Sequence, residues 1–298
     1  MTVMTQLGEP ADPWRRSARR GKAARPNAGA IIGYPRVSRY DFKSPRVHVE
    51  ERLSAGATIA PGKKQAHYLR NVLRLKSDDT VLLFNSRDGE WRAALAVTGK
   101  AIKLAVQEQV RPQSPAADLH CLFAPLKHER LDYMVQKAVE MGVSRLQPVI
   151  TQHTQVARVN LERMQANAVE AAEQCGILAI PEVAAPLTFA RMLAARKPDR
   201  LLVFCDEDAE VTNPVTALAR ARAAPSAMLP LVMGADATRA ESLAILTGPE
   251  GGFSEDERAA LLKQPNIVRL SLGPRILRAD TAAVAALALV QAVLGDWK

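Results

Sequence analysis

From about residue 46 to residue 110 the hydrophobic pattern of the chain predicts mainly β-strands. Short apolar runs and period-two alternation mark three candidate strands: residues 81–84, 91–97 and 101–110. A hairpin turn is indicated at Asp88-Gly89, and Leu69, Val72 and Leu73 have the spacing of one short helix. Together these elements predict a small β-barrel.

From Leu119 onward, strand-like runs alternate with helical patterns. The strand-like runs are residues 119–126, 145–150, 200–205, 243–248 and 266–272. Helices are predicted at residues 131–141, 161–175, after the capping box Ser254–Glu257, and at 280–294. Residues 206–242 have little periodicity and are expected to contain loops. Such alternation predicts an α/β domain with a mostly parallel sheet.

The last predicted helix differs from the others because it is apolar nearly all round. A helix of this kind has to be covered on more than one face. In a chain of 298 residues this indicates either deep burial or a subunit interface.

Composition narrows the possible functions. No apolar run is long enough to span a membrane. Cys121, Cys175 and Cys205 are far apart and the histidines are scattered, so neither a disulfide framework nor a metal site is expected. The net charge is +9, but residues 1–40 hold eight Lys or Arg and only two Asp or Glu. The charge of the whole chain is therefore a weak argument for nucleic-acid binding.

The pattern divides the chain into four segments. Residues 1–45 are predicted to be a disordered basic arm, 46–112 the β-barrel, 113–118 a linker, and 119–298 the α/β domain. The arm could attract RNA phosphates. Alternatively it is a mis-assigned start, a targeting sequence or a solvated tail without a role.

Two glycine-containing loops follow strands near the end of the chain, Thr247–Phe253 and Leu272–Ala282. Ligands of parallel α/β sheets bind beyond the carboxyl ends of the strands, and glycine lets the backbone come close to a ligand. Neither loop matches a P-loop or a dinucleotide-binding fingerprint. Spacing alone leaves plain tight turns as the alternative.

These loops carry a family resemblance. The segments LTGPEGGFSEDE (246–257) and LSLGPRILRADTA (270–282) resemble motifs of the SPOUT methyltransferases, and more narrowly of the ribosomal RNA small subunit methyltransferase E family. HYLRNVLRLKSDD (67–79) resembles that family's PUA-like RNA-binding domain, and residues 127–149 and 170–176 resemble the start of its catalytic domain. The resemblance covers about residues 46–298. It implies a PUA-like barrel followed by a domain with a deep trefoil knot.

The same resemblance implies a function. It is the methylation of N3 of a specific uridine in 16S ribosomal RNA, with S-adenosyl-L-methionine as cofactor. A homodimer in the cytoplasm, with no membrane association, would act on the RNA within the assembled small ribosomal subunit. One alternative is a SPOUT methyltransferase for another RNA. A second is a non-catalytic RNA-binding protein of ribosome assembly.

The resemblance also implies which residues bind the cofactor, chiefly through their backbone. They are Leu246, Thr247, Gly248, Pro249, Glu250, Gly251, Gly252, Leu270, Leu272, Gly273, Ile276, Leu277, Arg278, Thr281 and Ala282. The side chains of Leu246, Ile276 and Leu277 are expected to pack on the adenine.

Arg278 is the leading catalytic candidate, since a fixed guanidinium near uracil could stabilise the anion formed as N3 loses its proton. An ion pair of Arg278 with Glu250 or Asp280, or a contact to phosphate, is the alternative. Glu250 is a candidate base or, more simply, an acceptor that organises its loop.

RNA contact is expected on the small domain. Arg70 and Arg74 have the spacing of one helix face, with His67 one turn earlier and Lys76 just after. Lys127, Arg130 and Lys137 would extend this basic track. A solvated helix face is the alternative.

Three positions depart from the family pattern. Asp280 stands where a Glu is common, and Ile177 and His153 stand where an Arg is usual. If those arginines hold RNA phosphates, the RNA contacts of this chain are partly rearranged.

Overall fold

The computed structural model describes residues 41, 43–99, 101–156, 158–210, 213–223 and 242–297. The predicted arm therefore lies outside the described residues, apart from 41 and 43–45.

The first sheet has five strands in the order β1-β3-β4-β5-β2. They are β1 (Arg46–His48), β2 (Thr58–Ile59), β3 (Thr80–Phe84), β4 (Glu90–Thr98) and β5 (Ala101–Arg111). β1 pairs in parallel with β3, and the other pairs are antiparallel. The apolar side chains at alternate positions of β4 and β5 form one core with β3, as the period-two pattern predicts.

The helical segment of this region differs from the prediction. Helix α1 (Lys63–His67) continues into a π-helical turn at Tyr68–Val72. Of the apolar residues with helical spacing, Leu69 is buried, but the Val72 side chain is 58% exposed. Arg74 lies beyond the end of the helix with φ +56°. The prediction that Arg70 and Arg74 share one helix face is therefore wrong, since the helix has ended before Arg74.

The second sheet is parallel throughout and has the strand order β12-β10-β11-β6-β7-β8, with β9 also paired to β7. Its strands are β6 (Leu119–Phe123), β7 (Arg145–Ile150), β8 (Glu182–Val183), β9 (Leu187–Thr188), β10 (Leu201–Cys205), β11 (Leu243–Thr247) and β12 (Ile267–Leu270). The predicted mostly parallel α/β sheet is confirmed. The two-residue strands β8 and β9 are too short to leave a hydrophobic pattern.

Helices cover both faces of this sheet. They are α2 (His128–Glu140), α3 (Leu161–Cys175), α4 (Phe189–Ala195), α5 (Pro214–Ala223), α6 (Glu255–Leu262) and α7 (Ala279–Val293). One core contains side chains of α2, α3 and α7, and another contains side chains of α4 and α6. Strand residues alternate between these two cores, as expected when successive side chains point to opposite faces.

The small sheet is held to α3 by polar contacts. Buried Glu90 accepts hydrogen bonds from Arg46 Nε (2.9 Å) and Arg111 Nε (2.7 Å). Arg111 also donates to the carbonyl of Gly176, just after α3 (2.8 Å). The backbone N–H of His48 donates to the carboxylate of Glu173 (2.8 Å). These contacts fix the sheet against the end of the helix.

Among the described residues, no helix is long and apolar enough to cross a membrane. Helix α7 buries one side, formed by Ala283, Ala286, Leu287, Val290 and Gln291. Its other residues, including Val284 and Leu289, remain partly exposed. The single chain therefore leaves one side of this apolar helix incompletely covered.

Candidate functional site

The two predicted loops lie at the same edge of the parallel sheet. Strands β11 and β12 lie on either side of β10. Because all three strands run in the same direction, the loops that follow β11 and β12 leave the same edge. We call residues 247–253 the first loop and residues 271–278 the second loop.

The first loop is fixed by its own chain. The carbonyl of Thr247 accepts from the N–H of Ala124 (3.0 Å), and the N–H of Gly252 donates to the carbonyl of Pro249 (3.0 Å). The predicted capping box is present, with the Ser254 hydroxyl and the Glu257 side chain each accepting from the other residue's backbone N–H. Helix α6 thus begins directly after the loop.

A second segment contacts the first loop from the side. Nδ1 of His153 lies 3.0 Å from the carbonyl oxygen of Gly251 and 3.2 Å from that of Gly252. Since carbonyl oxygens only accept, Nδ1 carries a proton in this arrangement. The neighbouring N–H of Gln152 donates to Glu257 Oε1 (2.8 Å). The loop after β7 therefore braces both the first loop and the start of α6.

The glycines of the first loop are closely surrounded. Gly252 has φ +68°, and a Cβ there would lie 2.0 Å from Oε1 of Glu207. A Cβ on Gly251 would lie 3.2 Å from Cβ of His153, but Gly251 is not among the glycines with positive φ. The backbone conformation that favours glycine is thus at Gly252, whereas the requirement at Gly251 is space.

The second loop has few contacts. Leu272 packs against the main core. Within the described chain, residues 272–277 make no hydrogen bond or ion pair. Ile276 is 97% exposed. The proposed ion pair of Arg278 with Glu250 or Asp280 is absent from the described residues, and Asp280 accepts from the N–H of Thr281 instead.

Several predicted cofactor residues are strand residues with buried side chains. Leu246 lies in the core with Phe204 and Phe253 and is fully buried. The prediction that the Leu246 side chain packs on adenine is therefore wrong, because that side chain has no free surface. Leu270 and Thr247 are also buried, so only their backbone groups can contact a ligand at the sheet edge.

A charged network at the end of β10 was not predicted from the sequence. Buried Asp206, directly after β10, accepts from Nε of Arg258 (3.2 Å) and from Nε of Arg269 (2.5 Å). Arg258 also pairs with Asp208 (2.8 Å). The acidic run 206–208 directly after a strand-like segment was the available signal. The network ties the end of β10 to α6 and β12.

The predicted RNA-binding side chains differ in their exposure and in the contacts that they already make. His67, Arg74, Lys76 and Lys127 are exposed. Arg70 donates to the carbonyl of Gly99 (3.0 Å). Lys137 pairs with Glu140 (2.7 Å), and the hydrogen bond to that carboxylate raises the pKa of Lys137. Its charge is thus already matched by a neighbouring carboxylate.

Comparison with known proteins agrees with this architecture. Residues 112–291 match the model of the RNA methyltransferase domain, and residues 61–107 match that of the RNA methyltransferase PUA domain. The Ribosomal RNA small subunit methyltransferase E of Rickettsia conorii is 30% identical over 252 residues, which is 84% of this chain and 96% of that protein. The protein of the same name from Synechocystis is 33% identical, over 80% of this chain and 74% of its own.

Solved structures give the same result. The crystal structure of the Neisseria gonorrhoeae Ribosomal RNA small subunit methyltransferase E, bound to S-adenosyl methionine, matches with a TM-score of 0.69. The two are 26% identical, and the match covers 86% of this chain and all of that one. On the family models, the relatives and the parallel sheet with its two loops, the chain belongs to the ribosomal RNA small subunit methyltransferase E family.

Proposed function

We propose that this protein transfers a methyl group from S-adenosyl-L-methionine to N3 of a specific uridine in 16S ribosomal RNA. The observation that carries the proposal is the glycine-containing first loop, held in place at the carboxyl edge of a parallel sheet. The names of the relatives support the RNA substrate, and the cofactor in the Neisseria structure supports the methyl donor.

The edge fits such a cofactor. Because Gly248, Gly251 and Gly252 have no side chains, Phe253, His153 and Glu207 pack directly against the loop and hold its backbone in place, and Gly252 adopts a backbone conformation that side chains disfavour. Backbone groups of Leu246, Gly248, Gly251, Gly252, Leu272 and Ile276 would hold it. The other contacts would come from Thr247, Pro249, Glu250, Leu270, Gly273, Leu277, Thr281 and Ala282. When bound, S-adenosylmethionine supplies a methyl group on a positively charged sulfur.

Arg278 is the proposed catalytic residue. N3 of uracil is a poor nucleophile while it carries its proton, so the site has to favour the N3 anion. The guanidinium of Arg278, at the start of α7, has no partner among the described residues and would stabilise that negative charge. Glu250 is exposed in the first loop and is the candidate base that would take up the N3 proton, while the sulfur of the cofactor would leave as a neutral thioether. Holding the reacting atoms in attack geometry contributes up to about 7–11 kcal/mol in general.

The small sheet is proposed to bind RNA as a PUA-like domain of residues 46–112, joined by linker 113–118 to a knotted domain of residues 119–298. His67, Arg70, Arg74, Lys76, Lys127 and Lys137 are the proposed RNA contacts. Positive side chains attract phosphates irrespective of sequence. The assembled small ribosomal subunit in the cytoplasm is the proposed setting.

A homodimer is part of the proposal. The incompletely covered side of α7, apolar in sequence, supports a subunit interface. Light scattering at micromolar concentration is expected to give twice the mass of the chain, and a monomer would contradict this.

Two measurements test the proposed function. Calorimetry with the purified protein is expected to detect S-adenosylmethionine binding, which a non-catalytic RNA-binding protein would not show. Nucleoside mass spectrometry of 16S RNA from a deletion strain is expected to show loss of 3-methyluridine. An unchanged 16S RNA with a methyl group missing from another RNA would instead favour the alternative substrate.

A further inference from the structure

A separate cleft opens beside the sheet edge, between the start of α2 and the segment that leads into α3. Its volume is about 470 Å³, which is within the range of sites for small organic ligands. The floor is apolar and consists of Leu126, Leu131, Val156, Val159 and Met164. Polar side chains on its rim include Lys127, His128 and Arg158.

Among the described residues, the rim of the cleft carries two positive side chains that no carboxylate pairs with. Asp132 lines the cleft, but its carboxylate is bound by Arg163 and Asn167. The hydrogen bond from Arg163 lowers the pKa of Asp132, so this carboxylate stays ionised and paired. Within the described chain, the exposed side chains of Lys127 and Arg158 make no ion pair or hydrogen bond. Within the described residues, two unpaired cations thus lie above an apolar floor.

The cleft adjoins the first loop through the chain itself. Ala124 bonds to Thr247 in that loop, and the first wall of the cleft begins two residues later at Leu126. His153 contacts the loop, and the second wall begins three residues later at Val156. A residue spans at most about 3.6 Å of chain, so both walls start within about 11 Å of segments that touch the loop.

We propose that this cleft receives an unstacked nucleotide of the substrate RNA, next to the sheet edge that carries the first and second loops. The base would lie on the apolar floor, and its phosphate between Lys127 and Arg158. RNA-binding proteins commonly recognise unstacked nucleotides, and they do so by burying the base and pairing the phosphate with cations. The inference rests on the proposed function and adds a binding site to it.

The test measures separately what the space inside the cleft and the two cations on its rim contribute to RNA binding. Val156→Trp fills the cleft without changing charge, and Lys127→Ala with Arg158→Ala removes the two cations. Arg191→Ala with Arg220→Ala is the matched control, since it removes two exposed positive charges from α4 and α5, which do not line the cleft. Affinity for a fluorescent 16S RNA fragment, the KM for 16S RNA, cofactor affinity and the melting temperature are measured for each variant.

Val156→Trp is expected to raise the KM for RNA at least tenfold, with cofactor affinity and melting temperature unchanged. The double alanine variant is expected to weaken RNA affinity at least tenfold and to reduce the salt slope by about 0.7, the value for one phosphate contact on a single strand. Should Val156→Trp unfold the protein, the double variant alone decides.

The proposal is overturned if folded Val156→Trp keeps the wild-type KM, or if the double variant binds RNA as the control does. Failure of the proposed function looks different. In that case the wild-type protein binds no S-adenosylmethionine or methylates no 16S RNA, whereas RNA affinity still reports on the cleft.

Discussion

The two loops at the sheet edge are built in opposite ways. The first is braced by Ala124, His153 and the capping box of α6, and its glycines are closely surrounded. The second makes no hydrogen bond or ion pair over residues 272–277 in the described chain, and Ile276 is almost fully exposed. A braced loop keeps its shape before a ligand arrives, whereas an unbraced loop gains contacts only when something binds to it.

This difference separates two kinds of mutational effect. Changes in the first loop should alter its shape and therefore cofactor affinity and stability. Changes to exposed side chains of the second loop should leave the stability of the free protein nearly unaffected and act on the reaction or on the bound cofactor. The experiments below compare matched residues from the two loops.

The largest expected effect is on catalysis by the second loop. Arg278→Ala should lower kcat about 10²–10³-fold, the usual cost of removing one group that stabilises a developing anion. The melting temperature should stay the same because the Arg278 side chain has no partner in the described chain, and cofactor affinity should stay the same because the expected cofactor contact of Arg278 is made by its backbone. Arg275→Ala, an exposed arginine three residues earlier, is the control. Equal losses in both variants would indicate a general charge effect rather than a specific role of Arg278.

Two glycines with positive φ test the bracing directly. Gly252→Ala should weaken S-adenosylmethionine binding at least tenfold, because Cβ would displace Glu207 and the φ of +68° resists a side chain. Gly273→Ala in the second loop, at φ +102° with open space around it, should cost only about 1–2 kcal/mol of backbone strain. Calorimetry and thermal melts measure both. If Gly252→Ala weakens S-adenosylmethionine binding less than Gly273→Ala does, the comparison between the loops is wrong.

His153 supplies a smaller and finer test. His153→Ala removes the donor to the carbonyls of Gly251 and Gly252, and should cost about 0.5–1.5 kcal/mol of stability. His153→Asn places an amide N–H near the position of Nδ1 and should recover part of that loss. If the asparagine variant melts no higher than the alanine variant, the hydrogen bond contributes nothing to the brace.

The smallest effect is expected at Ile276. Replacing this exposed side chain with serine should change the free energy of unfolding by less than about 0.5 kcal/mol. Cofactor affinity should fall modestly if the side chain packs on the adenine. A strongly lowered melting temperature would show that the second loop is more firmly packed than its contacts indicate.

The sequence predicted the elements that repeat a local pattern. Strands β3, β4 and β5, the parallel strands β6, β7, β10, β11 and β12, and the capping box at Ser254 follow from periodicity and from one start signal. The end of the first helical segment was not predicted, because the π-turn at 68–72 and the positive φ of Arg74 interrupt the regular spacing.

Contacts between distant residues were beyond such reasoning. His153 meets Gly251 across 98 positions, and Arg258 meets Asp206 across 52. Local periodicity carries no information about which remote residues the sheet order will bring together. The resemblance located the two loops, but only the fold shows that one of them is braced and that a cleft lies beside it.

The buried carboxylate of Glu90 has a consequence for how a substrate is chosen. Through Arg111, this carboxylate links the small sheet to the carbonyl of Gly176 at the end of α3. The fold therefore sets the angle between the small sheet and the edge of the parallel sheet that carries the two loops. On the proposed function, an RNA whose folded shape already spans both surfaces would be bound more tightly than an unfolded strand of identical sequence.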